Sequence, residues 1–121
     1  MTEEQTNMSE KEQRIAEMEE YISNLEKLIE EKKQAENLIH NPDFQKLILN
    51  NYCKRECIRY LQLTLCDNIS KEARDDSLAM AEDTAKLSLF LNNVLQFGTI
   101  AERDIKEARE VLAQLESEKE D

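Results

Sequence analysis

Along the last third of the chain, apolar positions step by four from Leu87 to Leu91. They then alternate three and four through Val94, Gly98, Ala101, Ile105, Ala108, Leu112 and Leu115. Two such positions per heptad make the seam of a coiled coil. The residues between them are mostly charged, as in Glu102, Arg103, Asp104, Lys106, Glu107, Arg109 and Glu110. A helix with so narrow an apolar stripe needs a partner helix to bury it. A second seam runs near the start through Ile15, Met18, Ile22, Leu25 and Ile29, with Lys32 on the same line. The stem of a lysine there packs while its charge reaches water. Ser9 followed by Glu12 fits a capping box, and nothing then breaks a helix before about Ile39.

The middle reads differently. Asn41-Pro42-Asp43 combines an N-cap, a proline suited to the first helical turn and an acid at the positive helix end. It predicts a helix from Pro42 to about Cys66. The apolar residues of that helix, among them Phe44, Leu47, Tyr52, Ile58, Leu61 and Leu63, cover more than one face. This stretch is therefore expected to hold the thickest core, with a local bend at Asn50-Asn51. Asp67 to Ser70 is a short loop, with Ser70 capping the next helix. Thr99 with Glu102 also spells a capping box, which would end one helix and begin another. The heptad phase passes through Gly98 without slipping, which favours one helix over about 71–118. In it Gly98 is a small seam residue that admits close helix approach, at about 1 kcal/mol of helix propensity.

If residues 67–70 reverse the chain, counting outward sets Pro42 near residue 95, close to Gly98, and Ile29 near Ala108. The expected fold is all-α: a long antiparallel helical hairpin with a coiled-coil stalk (9–40 and 98–118) and a packed helical head (41–97). Together they form one helical domain, flanked by disordered tails at 1–8 and 119–121. Two helices give a thin core, so the surplus apolar faces of the head predict self-association.

Composition narrows the classes of function. The chain has 121 residues, one Gly and one Pro, and 36% charged residues, which suits solvated helices. A net charge of −11 argues against nucleic acid and anionic membrane surfaces, both of which need clustered Lys and Arg. No apolar run approaches the roughly 20 residues that span a bilayer, and the polar start has no signal-peptide core. Three cysteines, Cys53, Cys57 and Cys66, suggest reduced thiols in a cytosol rather than a disulfide scaffold.

Candidate chemistry is sparse. Cys53, Cys57 and His40 could supply three metal ligands, but structural zinc favours closer cysteine pairs and four ligands. The plainer reading makes these cysteines small hydrophobes. A Cys–His catalytic pair would also need an orienting group and an oxyanion site. Asp75, Asp76 and Asp83 lack the loop that wraps calcium. Carboxylate runs such as Glu17, Glu19, Glu20 and Glu30, Glu31 are solvated helix faces. The expectation is no enzyme, no cofactor and no metal.

Asn41-Pro42-Asp43-Phe44-Gln45-Lys46-Leu47-Ile48, then Tyr52 and Glu56, then Leu87 to Leu95 and the Gln96-x-Gly98-x-x-Ala101-Glu102 run resemble a group of small helical proteins of tailed bacteriophages. The resemblance covers roughly residues 15–118. It implies a multi-copy structural or assembly role in an infected bacterium, in its cytoplasm or in the virion. It assigns no role to Cys53 or Cys57. The expected function is contact between helices, with copies of itself or with phage structural proteins. The alternative is a soluble regulator or chaperone-like adaptor that binds a host or phage protein. The expected contact residues are Ile15, Ile22, Leu25, Ile29, Phe44, Tyr52, Leu91, Val94, Gly98, Ile105, Leu112 and Leu115.

Overall fold

A computed structural model describes residues 9–119; the expected tails at 1–8 and 119–121 lie outside them except for Lys119, which is the last residue of a helix. The described residues are all-α. Helix α1 spans Glu10–Ile39. A middle helix follows in three segments: α2 (Pro42–Phe44), a π-helical segment (Gln45–Glu56) and α3 (Cys57–Leu63). Helix α4 runs unbroken over Lys71–Lys119, so Gly98 and Thr99 lie within one helix.

The helix starts follow local chemistry. The Ser9 Oγ accepts the Glu12 N–H at 3.1 Å, and the Ser70 Oγ accepts the Ala73 N–H at 3.1 Å. The Asn41 Oδ1 accepts the N–H groups of both Asp43 and Phe44 at 3.0 Å, with Pro42 in the first turn. Each cap satisfies donors that the first turn of a helix leaves unpaired.

The chain divides into two compact units: residues 1–32 with 96–121, and residues 33–95. In the first, Lys11 Nζ donates to the Glu118 carbonyl at 2.8 Å, Glu26 and Arg109 pair at 3.7 Å, and Lys32 pairs with Glu102. Rising numbers on α1 meet falling numbers on α4, so the two helices form an antiparallel hairpin. Its core is Ile22, Leu25, Ala101, Ile105 and Ala108, with Met18, Leu28, Ile29 and Leu112 packed against it. The α4 side of this core is rich in small residues, and Gly98 is buried beside them. A Cβ built on Gly98 would collide with the Lys32 Cβ and lie 2.9 Å from its Cγ and Cδ. The helices are therefore close because Gly98 has no side chain.

Gly98 thus stands against Lys32, whereas counting from the turn set Pro42 near residue 95. The count assumed α geometry throughout. The π-helical segment closes its hydrogen bonds over five residues and packs more residues into each turn. An arm containing it does not keep the α-helical count, so residue numbers read outward from the turn do not give the register.

In the second unit, Arg74 Nε donates to the Thr64 carbonyl at 3.1 Å, and the Ser88 backbone is near enough to Cys53 to act on its thiol. These contacts pair the middle helix with α4, again antiparallel. The buried residues here are small: Ala35, Cys53, Ala81 and Thr84, with Leu91 the one large aliphatic among them. The Thr84 hydroxyl, fully buried, donates to the Ala81 carbonyl at 2.8 Å, so its burial leaves no hydrogen-bonding group unmatched.

Candidate protein-contact surface

The expected contact residues fall into two groups. Ile15, Ile22, Leu25, Leu91, Gly98 and Ile105 are buried, and Ile29, Val94, Leu112 and Leu115 are half-buried. A buried residue of this kind holds its own unit together. Phe44 is half-buried and Tyr52 exposed. The structure does not gather the twelve at one surface.

The thick core expected in the middle helix is absent. Leu47 is 63% exposed, Ile58 54%, Leu65 81%, and on α4 both Leu89 and Phe90 are 60% exposed. Eleven large apolar side chains of the second unit are exposed, against Tyr21, Phe97 and Ile100 in the first. One cause is the backbone. Faces assigned at 3.6 residues per turn do not hold through a π-helical segment, so residues such as Leu47 and Tyr52 leave the positions an α-helix would give them. The other cause is width. Two helices bury one stripe each, and Leu87 to Leu91 with Phe90 spans a wider arc than one stripe. That arc was the available signal for surface residues: an apolar run too broad for a two-helix layer.

Charge is also divided between the units. Residues 33–95 carry eight Lys and Arg against nine Asp and Glu, net −1; the remainder carries eight against eighteen, net −10. Within the second unit, basic side chains gather on the middle helix and acidic ones on α4. Lys54, Arg55 and Arg59 line a shallow groove with Ile58, Asn50 and Gln62. Arg59 and Arg55 meet Glu56 on the same helix at 2.8 and 3.8 Å, and Arg59 stacks over Tyr60, 4.4 Å from the ring centroid. On α4 stand Glu72, Asp75, Asp76, Glu82 and Asp83, all exposed, with Lys86 bound to Asp83 at 3.1 Å. Among the described residues of this unit, each ion pair joins neighbours on one helix.

The thiols are free: Cys53 buried, Cys57 half-buried and Cys66 exposed. Burial pushes the Cys53 thiol above its ordinary range; neighbouring Cys57 adds to this, and the Ser88 backbone opposes it. A thiol held protonated is a poor nucleophile and a poor metal ligand. His40 places its Nδ1 2.7 Å from the Glu36 carbonyl at the end of α1. No group of three His, Cys, Asp or Glu among the described residues is placed to hold a metal ion. No helix among them is long and apolar enough to cross a membrane.

No family model, curated protein or solved structure matches the chain.

Proposed function

We propose that the protein is a non-enzymatic structural or assembly component that works through helix–helix contact and is present in many copies. The observation that carries this reading is the exposed apolar surface of the second unit, led by Leu47, Ile58, Leu65, Leu89 and Phe90. Exposed apolar surface on this scale marks a protein-contact site. The same chain closes its other unit around Ala101 and Ile105, packing that we read as a coiled-coil stalk. The sequence resemblance to small helical proteins of tailed phages supplies the setting, a particle or its assembly intermediate. The test is the composition of purified virions and procapsids. A fixed, stoichiometric copy number in either supports the role, and absence from both rejects it.

A further inference from the structure

We propose that a second copy of this chain docks on the second unit. The groove of Lys54, Arg55, Ile58 and Arg59 in each copy receives the α4 face of Leu78, Glu82 and Leu89 from the other. This rests on the multi-copy contact reading above and names its interface.

Three observations lead here. First, the charges are complementary within one unit and unused across it. The groove is basic around an apolar centre, Ile58, which is 54% exposed. The α4 face is apolar around an acid: Leu78 and Leu89 are 45% and 60% exposed, and Glu82 falls between them on the same helix face. Second, the levels match. The Thr64–Arg74 hydrogen bond ties the middle helix to α4 at one height, and Cys53 lies near Ser88 at another. Arg55, Ile58 and Arg59 lie between those heights on one helix, and Leu78 and Glu82 lie between them on the other. A two-fold axis at that level therefore brings each groove to the other copy's Glu82, twice over, as an isologous interface requires. Third, the patch is open: Ile58, Leu78 and Leu89 all face solvent in the single chain, so a second copy can cover them. Two helix pairs packed this way make a four-helix layer, the ordinary way to bury two-sided helices. The unit's net charge of −1 leaves little like-charge repulsion between two copies of it.

The test is a charge swap on the full chain, read by sedimentation velocity over a concentration series, with helicity checked by circular dichroism. Glu82→Arg alone and Arg55→Glu with Arg59→Glu together each set like charges against each other at both ends of the interface. Each is expected to weaken dimerisation at least tenfold. An equimolar mixture of the two chains restores attraction at both ends, so a heterodimer of near wild-type affinity is expected. Because recovery requires both chains to be folded, the mixture separates lost contact from lost fold. A wild-type chain that stays monomeric throughout overturns the proposal, as does a dimer indifferent to both reversals or a mixture that fails to recover. Since the structural role is judged by particle composition, any of these results leaves it standing with a different surface or partner.

Discussion

Ile105 and Phe90 lie fifteen residues apart on the same unbroken helix, yet Ile105 is 5% exposed and Phe90 60%. Around Ile105 the apolar seam is narrow and the opposite face carries charge, so one partner helix covers it. Around Phe90 the apolar arc is wide, and only part of it is covered, at Ala81, Thr84 and Leu91. The charge divides the same way, net −10 in the unit with the closed seam and −1 in the unit with the open face. The difference lies in the width of the stripe, in the helix type and in the larger share of hydrophobic residues in the open unit.

The sharpest way to break this contrast is to put a charge into the closed seam. Ile105→Asp buries a carboxylate among Ile22, Leu25 and Ala108, and is expected to cost about 4 kcal/mol in chemical denaturation. An unchanged midpoint would mean that the seam is open to water.

Gly98→Ala probes the same seam more gently. In an exposed helix this change gains about 1 kcal/mol. Here the new methyl meets the Lys32 Cβ, and overpacking costs about 1–3 kcal/mol. A net loss of about 1 kcal/mol is expected in thermal unfolding, and a gain would show that the two helices stand apart.

In the open unit the expected effects on the single chain are smaller. Phe90→Ser should shift the unfolding free energy of the dilute chain by no more than about 0.5 kcal/mol, because the ring has little to lose. The same variant should weaken association. A large loss of stability at dilution would place Phe90 in an intrachain core. Thr84→Val is expected to be neutral to within about 1 kcal/mol by denaturation, since the Ala81 carbonyl keeps its helical partner when the hydroxyl is removed.

The cysteines give the finest comparison. Alkylation followed by peptide mapping should modify Cys66 fastest and Cys53 slowest, in the order of their exposure. The folded Cys53 thiol keeps its proton above the ordinary value of 9.0. The unfolded state therefore loses that proton first, and stability is expected to fall slightly as pH rises beyond 9.0. Denaturation midpoints at pH 8 and pH 10, compared between wild type and Cys53→Ala, measure this.

Much of the architecture was legible from residue type and spacing. The two heptad seams, the three caps at Ser9, Asn41 and Ser70, and the reversal before Ser70 are local or periodic signals, and periodicity alone names the buried face of a regular helix. That is why Ile15, Ile22, Leu25, Ala101, Ile105 and Ala108 could be placed in a core from the chain itself. The unbroken phase through Gly98 likewise pointed to one helix. The contact surface was not legible in the same way. Whether a segment closes its hydrogen bonds over four residues or five is a backbone choice that no residue pattern in Gln45–Glu56 announces, and it decides which side chains turn outward. Which residue faces Gly98 is a matter of register between helices, which residue type does not announce. The sequence by itself determined the helices, their starts and the closed seam, because these depend on neighbours three or four residues away; the middle helix, read to about Cys66, ends at Leu63. Only the tertiary structure decided that Lys32 lies against Gly98, that small residues fill the second unit and that its large apolar side chains face water. Each of those depends on register and backbone geometry within its own unit.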